Sequence, residues 1–251
     1  MRIKVINPNT TQEMTDNIGR VADEYTREDT EIVAVSPEKG PISIESYYDD
    51  YLAVPGLLEE IMRDRDEFDA FVNACWGDPG LDACREVTDR PVVGIAEGSM
   101  YVANMLGANF SVATILPRAE DFIAEAVRKT GLEGKCVSVR CTDLTVVETE
   151  STREAATQAL LEASRLAIEE DGAEVICLGC AGMGGLDGAL EEELPVPVID
   201  SVGAAAVLAE GLVQLGKTTS KIRTYKSPEP KEIRGYPAIY QWDRSAPAAD
   251  D

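Results

Sequence analysis

The sequence of 251 residues contains no histidine. This absence excludes several classes of enzyme, because a Ser-His-Asp triad, a Cys-His pair and a histidine-ligated metal site all need an imidazole ring. Acid–base chemistry in this chain would therefore depend on cysteine, aspartate, glutamate, lysine or tyrosine side chains.

Basic residues are also scarce. The chain has 23 Lys and Arg against 46 Asp and Glu, which gives a formal net charge of −23. A basic face for nucleic acid is excluded by this balance. The acidic residues are spread along the chain, which favours a highly solvated surface that stays soluble in strong salt and suggests a salt-loving source. The alternative is an acidic site for a cationic partner.

Long apolar runs are missing as well. No stretch approaches the roughly 18 apolar residues of a membrane span. The apolar run within residues 1–9 is too short for a signal peptide. We therefore expect a soluble, cytoplasmic protein that does not bind membranes, with its six cysteines present as reduced thiols.

The chain does contain an internal repeat. Residues 68–82 align with residues 173–187, which places Cys75 opposite Cys180 at an offset of 105 residues. The segments 91–95 and 195–199 also match, and a stretch rich in small residues follows each of them. A repeat of this length exceeds the unit of a solenoid, so it predicts two duplicated domains.

Each copy of the repeat alternates strands with helices. Short β-branched strands separated by helical segments are typical of parallel sheets with both faces covered. The predicted fold is therefore α/β, with two pseudo-symmetric lobes of parallel sheet and an active site in the cleft between them. Predicted strands are residues 4–6, 70–72, 92–95 and 175–178, and predicted helices are residues 51–64, 118–130, 151–171 and 202–215.

We expect the last helix to cross back toward the first lobe. The first lobe would then comprise residues 1–97 and 205–235, and the second lobe residues 98–204. Residues 236–251 would form a C-terminal tail whose end, from residue 245, has the composition of a disordered segment.

Cys75 and Cys180 each follow a buried strand at a glycine-rich turn. Ligands of open parallel sheets bind beyond the carboxyl ends of the strands, so the two thiols would approach one ligand from opposite sides. A thiolate on one side and a thiol on the other can invert a carbon acid without a metal or a cofactor. The turns lead into predicted helices, which can lower a thiol pKa and offer N–H groups to a charged oxygen.

The remaining cysteines have a simpler interpretation as packed core residues. They are Cys84, Cys136, Cys141 and Cys177. Cys177 and Cys180 also have the C-x-x-C spacing of a redox pair or half of a zinc site, but the chain has no second C-x-x-C. The glycine-rich segment 182–185 lacks the Gly-Lys-Ser/Thr that a phosphate loop requires.

Several motifs together resemble one known family. The combination is similar to the hydantoin and allantoin racemases of the aspartate/glutamate racemase superfamily, and the likeness covers residues 1 to 235. The motifs are Asn-Pro-Asn-Thr at residues 7–10, Gly-Pro-Ile-Ser-Ile-Glu-Ser at 40–46, Cys-Trp-Gly-Asp-Pro-Gly-Leu at 75–81, Gly-Cys-Ala-Gly-Met at 179–183, and the segments 219–221 and 228–231.

The resemblance implies cofactor-free racemisation at C5 of a hydantoin-type ring, with Cys75 and Cys180 as the acid–base pair. It also points to substrate-binding residues in the loop after the first strand and, by position, elsewhere in the cleft. These are Asn9, Thr10, Ser43, Thr114, Trp76 and Ala181.

Simpler roles compete for some of these residues. Asn9 also suits a turn or a helix cap, Ser43 an exposed loop and Thr114 a packed strand, and Asp78 is best interpreted as a turn residue. Glutamate racemases carry threonine after each cysteine to hold a carboxylate, where this chain has Trp76 and Ala181.

Other functions stay open. An amino-acid racemase, a maleate isomerase and a malonate-type decarboxylase belong to the same superfamily, although Trp76 and Ala181 disfavour a free amino acid. A non-catalytic two-lobed binding module is the alternative from another class. In every case the expected partner is a small molecule, and the resemblance is compatible with a homo-oligomer.

Overall fold

The two copies of the repeat form two parallel sheets in the computed structural model, which describes residues 1–142 and 153–236. The strand order is β2-β1-β3-β4 in the first sheet and β6-β5-β7-β8 in the second, so the two sheets share one topology. The α/β prediction with two lobes is confirmed. The strands are β1 Arg2–Ile6, β2 Glu31–Val35, β3 Ala70–Asn73, β4 Val92–Gly94, β5 Phe110–Thr114, β6 Cys136–Cys141, β7 Ile176–Leu178 and β8 Val198–Ile199.

Helices connect the strands and cover the sheets. They are α1 Gln12–Tyr25, α2 Tyr47–Asp64, α3 Leu81–Val87, α4 Ile95–Leu106, α5 Glu120–Thr130, α6 Arg153–Glu169, α7 Asp187–Glu191 and α8 Ser201–Gln214. Short 3-10 turns occupy Pro117–Ala119, Ala181–Met183 and Arg223–Tyr225. Among the residues just listed, no helix is long and apolar enough to cross a bilayer.

Two helices join the lobes. Helix α4 follows the first sheet and packs against β5, β7 and β8 of the second, whereas α8 follows the second sheet and packs against β1, β3 and β4 of the first. The two helices also pack on each other, and a Cβ atom on Gly98 would lie 3.2 Å from the Cα atom of Ala205. Small residues therefore permit the close approach. This packing supports the lobe boundaries at residues 97 and 204, which stay a prediction.

The main hydrophobic cluster lies between the sheets and draws on both of them, for example on Val72, Met100, Val112 and Ala206. A smaller cluster under α2 and α3 covers the outer face of the first sheet. Because the main cluster is shared, the lobes cannot separate without exposing it, and the cleft between them has fixed walls.

A buried lysine lies beneath α2. Lys4 of β1 is 1% exposed, and its Nζ donates to the Glu60 carbonyl at 2.8 Å, to Glu60 Oε2 at 3.0 Å and to Asp64 Oδ2 at 2.6 Å. Three acceptors match the three N–H bonds of an ammonium group. The charge is therefore fully paired inside the fold, as burial of an ion requires.

Several element boundaries differ from the sequence-based prediction. Ile95, predicted to end a strand, is the first residue of α4, because the Asp78 carboxylate accepts hydrogen bonds from the helix's free N–H groups. Helix α2 begins at Tyr47 instead of residue 51, since the Ser46 side chain caps it. Val175 precedes β7, and α5 begins two residues late, after a 3-10 turn. Residues 151–152 and 237–251 lie outside the described residues, so the predicted helix start and tail are untested there.

Candidate active site

The two repeat cysteines line one cavity. Cys75 lies two residues beyond the end of β3, and Cys180 lies two residues beyond the end of β7, the equivalent strand of the second sheet. Both border a cavity of about 580 Å³, counting its open mouth, which we name the cysteine cleft. The structure therefore brings together the two residues that the repeat had paired.

The walls of the cysteine cleft are largely apolar. Glu45 is the only side chain with a formal charge among the described residues that line it. Polar atoms come mainly from Asn7, Asn9 and Thr114, while the apolar lining includes Met14, Ile44, Trp76, Ile115, Phe122 and Ile123. A ligand in this cleft would therefore meet mostly apolar and neutral polar groups.

Burial raises the pKa of the Cys75 thiol above its ordinary value. The Gly77 N–H donates to the sulfur and acts in the opposite direction, whereas Asp50, Cys180 and Asp78 add smaller contributions that raise the pKa further. Cys75 keeps a partly exposed surface, yet the protein packed around its sulfur is enough for desolvation to dominate. The expectation of a lowered thiol pKa is wrong at Cys75, although the turn N–H acts in the expected direction.

A hydrogen-bonded chain connects the two cysteine loops. Trp76 Nε1 donates to Ser201 Oγ at 3.0 Å, and Ser201 Oγ donates to the carbonyl of Leu178 at 2.5 Å. Trp76 follows Cys75 directly, and Leu178 precedes Cys180 by two residues. All three linked residues are at least 97% buried. The N-terminus of α8 thus links the two cysteine loops, and this link through Ser201 is absent from the sequence-based prediction.

Two aspartates anchor the same loops from opposite sides. Asp78 adopts a left-handed turn with φ 49°, and its carboxylate accepts hydrogen bonds from the N–H groups of Ala96 and Glu97 at 3.1 and 2.9 Å. Burial, followed by the charge of Glu97, raises the pKa of Asp78 to about 8. The prediction that Asp78 is a turn residue is confirmed, and the turn is tied to the N-terminus of α4.

In the second lobe the aspartate lies at the start of the helix, and the cysteine loop donates the hydrogen bond to it. Asp200 lies at the start of α8 and accepts hydrogen bonds from Gly203 N–H at 2.9 Å and from Gly185 N–H at 2.7 Å. Gly185 belongs to the loop that follows Cys180. Each cysteine loop is therefore fastened to the helix that crosses between the lobes.

Asn9 combines the turn role and the cleft position. Its Oδ1 accepts hydrogen bonds from Thr11 N–H at 2.9 Å and from Asn7 Nδ2 at 2.8 Å, which is the expected turn geometry. Its Nδ2 contacts Met14 Sδ at 3.1 Å. Because a thioether is a weak acceptor, the Asn9 amide can still donate to a ligand oxygen in the cleft.

Thr114 also lines the cysteine cleft, but its hydroxyl is engaged. Thr114 Oγ1 donates to the Gly179 carbonyl at 2.9 Å. A Cβ atom on Gly179 would lie 2.7 Å from the Thr114 Cβ, so the residue before Cys180 has to be glycine. Thr114 therefore supports the Cys180 loop from β5. Ala181 is buried and lines the same wall.

Thr10 and Ser43 do not line the cysteine cleft. Thr10 uses its N–H and its hydroxyl to hold the carbonyl of Pro41, at 3.0 and 3.4 Å. Ser43 borders a neighbouring depression at the start of α2. The loop turns after Ser43, so that Ile44 and Glu45 face the cleft in its place.

Phe122 of α5 closes one side of the cleft and is absent from the sequence-based prediction. A Cβ atom on Gly77 would lie 1.8 Å from Phe122 Cζ, so the ring lies directly on the turn that follows Cys75. The Tyr47 ring meets Phe122 edge-on, with centroids 5.6 Å apart. In the sequence, Phe122 shows only helical periodicity, which gives no sign of its position beside Cys75.

The other cysteines stay outside the cleft. Cys84 and Cys177 are fully buried, as predicted, while Cys136 and Cys141 are half-buried on the edge strand β6. Cys177 contacts the Ser99 carbonyl in the core, so it points away from Cys180 despite the C-x-x-C spacing. Within residues 1–142 and 153–236, no three potential ligands are grouped to hold a metal ion.

The fold and site define a two-lobed α/β protein with paired cysteines in a largely apolar cleft. The chain belongs to the Asp/Glu/Hydantoin racemase family, whose model matches residues 3–209, so the resemblance is confirmed. It is 54% identical to a hydantoin racemase of Pseudomonas sp. (strain NS671) over 94% of this chain and 95% of that protein. It is 44% identical to a hydantoin racemase of Paenarthrobacter aurescens, over 92% and 99%. The solved structure of allantoin racemase from Klebsiella pneumoniae is 42% identical, with a TM-score of 0.91 over 94% of this chain and 96% of that one.

Proposed function

We propose that this protein is a cofactor-independent racemase that inverts C5 of a hydantoin-type ring, with Cys75 on one face of the ring and Cys180 on the other. The single observation that carries this proposal is the placement of two thiols from equivalent strands on one cavity. Relatives named hydantoin racemase and allantoin racemase support the choice of ring.

The reaction needs one thiolate and one thiol. As the thiolate sulfur takes the C5 proton, the electron pair of the C–H bond moves onto the adjacent carbonyl as an enolate. The opposite thiol then gives its proton to the other face of C5, and the electron pair returns to form the new C–H bond. The two sulfurs exchange protonation states in each turnover. The Asn9 amide can donate a hydrogen bond to an oxygen in the cleft that gains charge.

The neutral lining favours a neutral ring over an anionic substrate. A free amino acid, maleate or a malonate carries carboxylates, which proteins usually hold with arginine or lysine. Of the described residues that line the cysteine cleft, none is basic, and its one formal charge is that of Glu45. Glutamate racemases hold a carboxylate with threonine after each cysteine instead, and this chain has Trp76 and Ala181 at those positions. Both observations favour a neutral ring over the anionic substrates of the superfamily alternatives.

The test is loss of optical rotation from enantiopure 5-substituted hydantoin and allantoin, against a blank without protein, with C5 proton exchange followed in D2O. We expect acceleration well above the blank for at least one of them. Cys75→Ala and Cys180→Ala should each abolish racemisation, whereas Cys136→Ala, a matched change of a half-buried cysteine outside the cleft, should keep it. Full racemisation by Cys75→Ala would overturn the two-thiol mechanism.

A non-catalytic binding module predicts a different outcome from the same experiment. It would bind the ring without exchanging its C5 proton. If added hydantoin protects Cys75 of the folded protein from alkylation, but the protein does not accelerate C5 proton exchange, the binding module is favoured.

The charge balance supports a setting at high salt. With a net charge of −23, the acidic groups of the folded protein repel one another, and salt screens that repulsion. The free energy of unfolding should therefore rise from dilute buffer to molar KCl, as measured by urea denaturation at each salt concentration. Full folding and equal stability in dilute buffer would contradict this setting.

A further inference from the structure

A second cavity adjoins the cysteine cleft between α2 and α5. We name it the Asp50 cavity. It measures about 850 Å³, counting its open mouth, and its walls include Tyr47, Asp50, Tyr51, Phe122 and Lys129. Gly77 and Phe122 line both cavities. The turn after Cys75 and one aromatic ring are therefore shared by the two spaces.

Asp50 is a buried acid with an unused acceptor. The residue is 9% exposed, and its Oδ1 is buried without a hydrogen-bond partner among the described residues. A buried carboxylate oxygen that accepts no hydrogen bond is costly and needs an explanation. Asp50 also lines the cavity, so its carboxylate group can accept a hydrogen bond from a ligand N–H group there.

The neighbouring charged groups already have partners. Glu125 pairs with Lys129 at 3.6 Å and accepts a hydrogen bond from the Tyr47 hydroxyl at 3.1 Å. The Asp78 carboxylate is occupied by the N-terminus of α4. Burial raises the pKa of Asp50 to about 6, while Lys129 opposes and Glu125 adds to this effect. At neutral pH Asp50 is therefore still mostly charged and able to accept a hydrogen bond.

We propose that the Asp50 cavity receives the substituent carried by C5 of the ring, and that Asp50 selects substituents with N–H donors, such as ureido or aminoalkyl groups. This inference rests on the proposed function. Because Gly77 and Phe122 line both cavities, a group attached to the reacting carbon would reach the Asp50 cavity past the Phe122 ring. The rings of Tyr47, Tyr51 and Phe122 supply an aromatic wall that suits both flat N–H groups and cations.

The test compares substrates whose substituents differ only in donors. We would measure kcat/KM for allantoin, a 5-(aminoalkyl)hydantoin and a 5-alkylhydantoin of the same length, with wild type, Asp50→Asn and Asp121→Asn. The last is a matched control, since Asp121 is an exposed acid of α5 that does not line the Asp50 cavity.

Wild type should favour the aminoalkyl over the alkyl substrate by at least about tenfold, and Asp50→Asn should reduce that ratio about 10- to 100-fold, as expected for a lost charged hydrogen bond. Asp121→Asn should leave the ratio within about threefold. The ratio of kcat/KM for two substrates is unaffected by a general loss of folded protein. If Asp50→Asn does not fold, the preference of the wild type for the aminoalkyl substrate still tests the inference.

The outcomes separate the two proposals. If wild type racemises the alkyl substrate as well as the donor-bearing ones, or if Asp50→Asn leaves the ratio unchanged, the inference about Asp50 is wrong and the proposed function stands. If wild type accelerates none of the substrates, the proposed function fails and this inference fails with it.

Discussion

The hydrogen bond between Trp76 and Ser201 should couple stability to catalysis. Trp76→Phe removes the Nε1 donor and keeps an aromatic ring, and Ser201→Ala removes both hydrogen bonds of the bridge. Both residues are almost fully buried, at 3% and 2% exposed. Water therefore cannot replace the hydrogen bonds that these substitutions remove.

The size of the effect follows from the groups left unpaired. Trp76→Phe loses one buried neutral hydrogen bond and some ring volume, which costs about 1–3 kcal/mol of unfolding free energy. Ser201→Ala leaves the Trp76 N–H and the Leu178 carbonyl unsatisfied, which costs roughly 2–4 kcal/mol. The double variant should cost less than the sum by about 1 kcal/mol, because both changes remove the same bond.

Catalysis should respond through kcat. The bridge joins the residue after Cys75 to the strand before Cys180, so its loss would change the spacing of the thiols. A misplacement of about 1 Å can cost on the order of 100-fold in rate. We expect each single variant to lower kcat about 10- to 100-fold, with KM within about threefold.

The assays are urea unfolding followed by circular dichroism, and polarimetry on an enantiopure hydantoin. The four proteins of the double-mutant cycle are compared in both. Additive stability losses together with an unchanged kcat would refute the idea that Trp76 and Ser201 act as one bridge that positions the thiols.

Lys4→Met should lower the free energy of unfolding, measured in urea, by about 3–5 kcal/mol, because it breaks buried ion pairs. The control Arg2→Met breaks an exposed ion pair and should cost less than about 1 kcal/mol. Similar losses in the two variants would contradict this prediction. Gly77→Ala should cost about 1–3 kcal/mol, since its Cβ overlaps the Phe122 ring, and a crystal structure of the variant should show that ring displaced; an unmoved ring would count against the contact. Because burial raises the pKa of Cys75, its thiolate is scarce at neutral pH, and kcat/KM should rise with pH above 7. A rate that is flat from pH 7 to 9 would contradict the raised pKa of Cys75.

Local sequence pattern was sufficient for the architecture and for the two cysteines that the structure places on one cleft. Buried parallel strands are continuous β-branched runs, and a turn after such a strand needs glycine, so the repeat and its two cysteines are visible in the chain itself. The equal strand order of the two sheets confirms the α/β fold with two lobes that the repeat predicted.

Element ends were less predictable, because their causes are distant in sequence. Helix α4 starts at Ile95 since Asp78, 17 residues earlier, accepts hydrogen bonds from its first turn. The hydrophobic periodicity of the sequence does not reveal such a contact. The same holds for Lys4, whose strand pattern gives no sign that Glu60 and Asp64 neutralise it from α2.

The walls of the site were decided by tertiary structure alone. The loop after β1 places Asn9 on the cysteine cleft, and the end of β5 places Thr114 there, but Thr10 holds the neighbouring loop and Ser43 borders another depression. Phe122 and Ser201 reach the site because their helices pack across the first cysteine loop. The sequence by itself determined which reactive groups the chain offers, since the paired thiols and the absence of histidine are properties of repeat and composition. Only packing between distant segments decided what surrounds those thiols, because that depends on which helix faces which turn.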